Sequence, residues 1–401
     1  MAIARTHTKL NILVNYLFYL SLSIELFLML IEKSEISFPY ESYVFRLTFA
    51  ITLLAVILMK HSKKEWIILC LTWVFTAVCY KLTGKNELLR YATFIMASRD
   101  VNIEKTMKYI FYVCIIGYTT IILLSLTNVL GDIYIISDFG RGNTEELRYV
   151  LGFGHPNSLF SSAYVILLLW IWLYGKEVKI WHFGAVFFSI IGLYLLTSTR
   201  TAMVIGLVTI LAAVYLHIFP NIKNNYLPYV ISCLIVPIFS VACSIFAAKN
   251  SYLTVFLKEG DRDYWIKRLD NLLTNRIYYL YYSNDRHSGS LETWSLFSNS
   301  ASTEYFDMGW VRIFYWYGII PGSIITLLII VFLWCCWKQK DLWTVLLILS
   351  LGVYTIIEAT FVSRYIGRNI LLPVFGVYIG KLLTSSPIVP IKYQKDYQKG
   401  T

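Results

Sequence analysis

This sequence predicts an all-α, polytopic membrane bundle, and three observations carry that expectation. The 401 residues are 57% hydrophobic and only 15% charged, with a mean hydropathy of +0.61, whereas a soluble domain of this length needs a more charged surface. Apolar runs of roughly 20 residues recur along the chain, each long enough to cross about 30 Å of hydrocarbon at 1.5 Å per residue. Those runs are continuous rather than alternating, which selects helices over a transmembrane barrel. The whole chain, 1–401, reads as one membrane domain with about 12 spans.

In chain order the expected helices lie at 10–31, 42–59, 65–80, 86–98, 109–130, 151–174, 180–197, 201–219, 227–248, 309–334, 342–360 and 367–382. The run from Leu10 to Ile31 is too long for a signal-peptide core and no small-residue cleavage site follows it, so it is expected to stay as the first span. The run at 86–98 is the shortest. Glu25 and Arg90 are the main ionisable groups near span centres. The seven cysteines fall in spans or at a span edge without a CxxC pair, a pattern of packing rather than of disulfides or a thiolate metal site.

Short-loop Lys/Arg bias sets the expected orientation. Lys60, Lys63, Lys64, Arg99, Lys105, Lys108, Lys176, Lys179, Lys223, Lys338 and Lys340 gather on the side of Arg5 and Lys9, together with the tail 383–401. Both termini are therefore expected in the cytosol. The opposite connections are rich in arginine instead: Arg141, Arg148, Arg200, Arg276, Arg364 and Arg368. Topology alone gives no reason for that choice. A guanidinium offers a planar fork matched to carboxylate or phosphate oxygens, so this ring points to an anionic ligand, or to pairing with loop acids or lipid phosphates.

One connection, 249–308, is far longer than the others and reads as an extracytoplasmic loop between the ninth and tenth spans; loops of that size are uncommon unless functional or disordered. Its Trp265, Trp294 and several tyrosines argue for order. Within it Trp265, Ile266, Leu269, Leu272, Leu273, Ile277 and Leu280 fall on one helical face, with Lys267, Asp270, Asn271, Thr274 and Asn275 on the other, which predicts an amphipathic helix lying on the bundle or the outer leaflet. Arg276 falls inside the apolar stripe. Desolvated there, it needs a partner, either a fixed carboxylate or an anionic ligand. Asp261 and Asp263 form a DxD, which reads as a metal-holding pair or as two solvated acids; no metal is expected.

The stretch "GFGHPN", Gly152 to Asn157, opens the sixth span with glycines, which tolerate unusual backbone angles, and with a proline at a first helical position. A helix N-terminus presents unpaired N–H groups and a partial positive charge. His155 stands at that mouth as a general base, as a donor to phosphate or sugar hydroxyls, or as a cap satisfied by backbone. Asn157 sits beside it and Arg148 just upstream. A second helix start, "TSTRTA", places Arg200 on the same side.

These motifs carry a resemblance. "LGFGHPNSL", "TSTRTA", "LDNLLTNRI", "FDMGWVRIFYWYGIIPG" and "IIEATFVSRYIGRNILL", in that order over about residues 85–382, resemble the Wzy-type polysaccharide polymerases of bacterial capsule, exopolysaccharide and O-antigen pathways, and more distantly the O-antigen ligases. The chain departs from the usual Asp-Asn pair at the loop exit, having Asp307-Met308. The resemblance implies a glycosyltransferase-C-like membrane architecture in the bacterial cytoplasmic membrane. It implies an enzyme without metal or other cofactor that works at the outer face on undecaprenyl-pyrophosphate-linked repeat units, transferring the growing glycan to the non-reducing end of a new unit. Implied partners are those lipid-linked units, membrane lipid, and the chain-length regulator and flippase of the same pathway, with no nucleic acid. Its expected catalytic groups are His155, as base, with Asp307 and Glu358 as acidic alternatives; Arg148, Asn157, Arg200, Arg276 and Arg364 are expected to hold pyrophosphate and glycan. A ligase acting on another acceptor and a lipid-linked oligosaccharide flippase are the alternatives.

Overall fold

The structure is a computed structural model that describes residues 2–139, 145–282, 289–359, 361 and 368–383, with the backbone alone for 2–9 and 138. Its helices run in chain order as α1 (Ala2–Lys33), α2 (Glu41–Leu58), α3 (Lys63–Thr83), α4 (Glu87–Ala97) and α5 (Ile103–Leu126), then α6 (Pro156–Tyr174), α7 (Trp181–Thr197) and α8 (Arg200–Ile218). A π turn joins α9 (Leu227–Cys233) to α10 (Ser240–Asn250); α11 (Leu253–Phe256), α12 (Tyr264–Leu272) and α13 (Arg276–Tyr281) lie in the long loop; α14 (Gly309–Tyr317), α15 (Ile319–Lys338), α16 (Leu342–Tyr354) and α17 (Asn369–Leu383) follow. Eight helical segments are long and apolar enough to cross a membrane, and three shorter apolar helices accompany them. The chain is a multi-pass helical membrane protein. Each of the twelve expected segments contains helix, but α4 has 11 residues, too few to cross unaided.

Sequence chemistry explains the helix boundaries. Ser62 and Glu65 close a capping box at the start of α3, Asn102 accepts from the Lys105 N–H at the start of α5, and Asp341 accepts from the N–H groups of Trp343 and Thr344 at the start of α16. Side chains such as Tyr16, Leu71, Leu195 and Leu211 are mostly exposed, as a face meeting lipid requires. Ion pairs lie inside the bundle: Arg90 meets Glu25 at 3.0 Å, and Thr48 donates to the same carboxylate. Arg99 meets Glu65 at 3.2 Å.

Three expectations about elements need correction. The span at 309–334 is two helices, broken at Gly318, whose φ of 100° and ψ of 170° belong to glycine. The amphipathic helix through 265–280 is also two, because Thr274 and Asn275 adopt left-handed φ of 61° and 60°. The break turns Asp270 inward, where it is buried and accepts from the N–H groups of Ile277 and Tyr278, while Trp265 and Leu272 face outward. Helix α16 stops at Tyr354 instead of 360, leaving Glu358 after a tight turn. The chain also contains an unexpected hairpin, β1 (Tyr134–Asp138) and β2 (Glu145–Tyr149), antiparallel with Tyr134 opposite Tyr149.

A Cβ on Gly318 would lie 2.6 Å from the Leu296 carbonyl oxygen and the Phe297 Cα. Gly318→Ala is therefore expected to lower the Tm of the detergent-purified protein, at a cost of about 1–3 kcal/mol from backbone strain with the clash in addition. Gly184→Ala, where a Cβ meets nothing within 4 Å, is expected to leave Tm unchanged or slightly raised.

Candidate functional site

Helices α6 and α8 begin, and α5, α7 and α16 finish, at one end of the bundle, and the irregular segments at that end enclose an open cleft of about 270 Å³. Arg148, His155, Asn157, Arg200, Arg276, Asp307 and Glu358 line it, together with Phe139, Thr199, Tyr279 and Tyr354. Seven residues singled out from five separate stretches of sequence thus meet in one place. Arg364, the eighth, lies outside the described residues.

Local structure explains how each arrives. Leu151, Gly152 and Gly154 all have positive φ, and a Cβ on Gly152 would lie 3.0 Å from the Ser125 Cβ of α5. Glycine at 152 therefore permits both the turn and the close approach. The turn aims His155 at the N-cap of α6, where its Nδ1 accepts from the Asn157 N–H at 3.2 Å. With that nitrogen occupied as acceptor, a neutral ring carries its proton on Nε2 and presents a donor. His155 is exposed to the cleft on one side, yet protein surrounds it enough that desolvation lowers its pKa; Asp307 opposes the shift, and Arg148, Lys33 and Arg276 add to it.

At the start of α8, Thr199 makes no side-chain cap hydrogen bond. Its hydroxyl instead lies 2.8 Å from that of Thr197. No described residue's side chain caps the first-turn N–H groups of α8, which lie beside the cleft, where Arg200, Thr201 and Ala202 are lining residues. Arg200 is exposed and pairs with no carboxylate among the described residues.

Arg276 is the most constrained of the three arginines. Nε donates to the Ile357 carbonyl at 2.8 Å, Nη1 to the Leu273 carbonyl at 3.0 Å, and Nη2 to Glu358 Oε1 at 2.5 Å. Asp307 Oδ2 lies 3.7 Å from Nε. Its partner is thus a fixed carboxylate, with a second one close by. Asn157 Nδ2 also donates to Glu358 Oε1, at 3.1 Å. Burial pushes the Glu358 carboxyl up to about 7, reinforced by Asp307 and opposed by Arg276 and Lys33. Oε2 receives no hydrogen bond among the described residues, so one carboxylate oxygen is held and the other remains available.

Arg148 reaches the cleft from the hairpin. Glu146 holds it through Nε and Nη2 at 2.9 and 2.6 Å, and its guanidinium carbon lies 3.8 Å from the centre of the Phe139 ring. Below the cleft, the Tyr164 hydroxyl joins Thr209 and Ser350, fastening α6, α8 and α16 together, and the Tyr354 ring packs against Tyr164 at 5.9 Å. Arg148 is paired with Glu146 and Arg276 with Glu358, so the cation left to favour an anion in the cleft is Arg200, which pairs with no carboxylate among the described residues, beside the open start of α8.

Sequence reasoning missed Lys33. It is buried at the end of α1, donates to Ser158 at 3.2 Å, and acts electrostatically on both His155 and Glu358. The only signal was a lysine ending an apolar run on the arginine-rich side. Asp261 and Asp263 are exposed and do not line the cleft, with Asp261 accepting from the Lys258 N–H in a turn. No cluster of three metal-ligating side chains occurs among the described residues.

Compared with known protein families, curated proteins and solved structures, the chain matches none. The cleft makes one direct physical prediction. An infrared carboxyl band absent from Glu358→Gln is expected to weaken as pH rises through about 7. Asp307→Asn removes a neighbouring negative charge, which eases ionisation, so the same transition is expected at lower pH; an unmoved or higher transition would contradict the electrostatic assignment.

Proposed function

We propose that the chain is a Wzy-type polysaccharide polymerase of the bacterial cytoplasmic membrane, with both termini cytosolic and the cleft at the outer face. The observation that carries this reading is the meeting of Arg148, Arg200 and Arg276 with Glu358 and His155 in one cleft at a helix-end surface. Three guanidinium groups suit a pyrophosphate better than a monoanion. The donor is a growing glycan on undecaprenyl pyrophosphate, and the acceptor is the non-reducing-end hydroxyl of a new lipid-linked unit.

In the reaction, the acceptor oxygen attacks the anomeric carbon of the donor. A new C–O bond forms as the bond from that carbon to the pyrophosphate oxygen breaks, and the electron pair leaves with the pyrophosphate. Glu358 Oε2 takes the acceptor proton, a role suited to a carboxyl whose pKa is pushed up to about 7. His155, with Nδ1 held by backbone, donates from Nε2 to a phosphate or sugar oxygen. This moves the role of base from His155 to Glu358. The arginines and the open N–H groups of α8 stabilise the charge that builds on the leaving group. Tyr279, half out of the wall, offers a face on which a sugar ring stacks.

Deletion of the gene is expected to leave single repeat units on their carrier at the outer face. Long chains stranded on the carrier would instead indicate a ligase, and units trapped inside a flippase. Arg276→Lys and Glu358→Gln, at normal protein level, are each expected to lower polymer formation on the order of 100- to 1000-fold; full-length polymer from both would overturn the site. The double variant Asp261→Asn, Asp263→Asn is expected to keep polymer formation near the native level, read from the length distribution of the glycan on a gel.

A further inference from the structure

The hairpin β1–β2 has two chemically different faces. Register puts Ile135 opposite Arg148 and Ser137 opposite Glu146 on one face, and this face carries the buried guanidinium of Arg148 toward the cleft. The other face holds Tyr134, Ile136, Leu147 and Tyr149, where Tyr134 pairs with Tyr149 and Ile136 with Leu147, and ends in the acidic pair Asp138 and Glu145 at the far end of the hairpin. The first four are large and apolar or aromatic, and they are 50%, 56%, 51% and 38% exposed. A two-stranded hairpin is marginal in water without an apolar surface to pack on. Here the protein covers the polar face and leaves the apolar one open.

We propose that this apolar face is seated on the lipid leaflet at the cleft end of the bundle, making the hairpin an interfacial element that presents Arg148 to the cleft from its other side. Continuity with the lipid-facing surface identifies the occupant. The hairpin follows α5, whose exposed Leu123 and Leu126 lead to exposed Val129. Strand β2 packs against α7, which exposes Leu195. These side chains belong to, or directly continue, helices that meet lipid. Backbone chemistry sets the depth. Open sheet edges do not occur inside hydrocarbon, where their N–H and C=O groups have no partners, so both outer edges of this hairpin must lie among headgroups with only the apolar side chains dipping toward the acyl chains. Two tyrosines flanking Ile and Leu suit that layer, because a phenol places an apolar ring in the boundary and its hydroxyl in water.

At its base the hairpin is tied down by protein. The N–H groups of Val150 and Leu151 donate to the Ile133 carbonyl, and that of Gly152 to the Asp132 carbonyl, while the Ser125 hydroxyl donates to the same Asp132 oxygen. The element is therefore hinged on α5 at one end and rests on lipid along one face. This inference depends on the membrane character of the helices and not on the reaction proposed above.

The test places a nitroxide at Ile136→Cys and, separately, at Leu147→Cys in full-length protein carrying Cys70→Ser, reconstituted in phosphatidylethanolamine–phosphatidylglycerol vesicles. Collision with oxygen, which concentrates in lipid, is compared with collision with a water-soluble nickel chelate. At both positions oxygen is expected to dominate, with the opposite order at a control label in place of exposed Lys258. Dominance of the nickel chelate at both would put the face in water and overturn the proposal. Protection from both reagents would mean that protein covers it, which also overturns the proposal. A label at Tyr134→Cys gives a third reading if either substitution disturbs folding.

Discussion

The ion pair between Arg276 and Glu358 is the constraint on which the cleft depends. Both side chains are largely withdrawn from water, 11% and 14% exposed, and they join the long loop to the turn after α16. Removing one member of such a pair leaves an uncompensated charge at a cost of about 3–5 kcal/mol. The fork of Arg276 also donates to Leu273 and Ile357, so one side chain gathers its own helix–turn junction, the end of α16 and, through Glu358 and Asn157, the start of α6. Lysine has neither the planar geometry nor the number of donors to do the same.

That pair sits where the physics of a membrane permits it. Irregular backbone beside membrane-spanning helices is stable where it is buried in protein or lines a water-filled cavity, and the cleft combines both conditions. Groups held by protein, such as Glu358 Oε1 and Arg148, lie beside groups open to a ligand, such as Arg200 and the first turn of α8. Charged pairs elsewhere in the bundle have a different character. Glu25 with Arg90, and Arg99 with Glu65 and Asp100, are closed among themselves and line no part of the cleft.

Much of this was legible in the sequence because the informative signals were local. Apolar runs located the helices, and the lysine–arginine asymmetry and the two helix-start motifs picked out Arg148, His155, Asn157, Arg200 and Arg276, which lie together with Asp307 and Glu358, the two acids the family resemblance pointed to. What was not legible depended on backbone angles or on distant partners. The apolar stripe from Trp265 to Leu280 fits one helix, yet left-handed Thr274 and Asn275 break it, and neither residue is a glycine that would have announced the break. Asp270 belonged to the polar face by periodicity and is buried because the broken helix needs an acceptor for its second half. "YGIIPG" did contain a warning, a glycine followed by a proline three residues later, and the break at Gly318 falls there. Lys33 escaped because a charge at the end of a span is expected in any membrane protein. Which ring nitrogen of His155 the backbone occupies is fixed by the turn that opens α6, and spacing does not encode it.

We propose that this cleft accepts a lipid pyrophosphate as leaving group, and purified protein in vesicles given a single lipid-linked repeat unit allows the products to be counted. One undecaprenyl pyrophosphate is expected to be released for each new glycosidic bond. Polymer formed without that stoichiometric release, or repeat units carried across the bilayer unchanged, would contradict it.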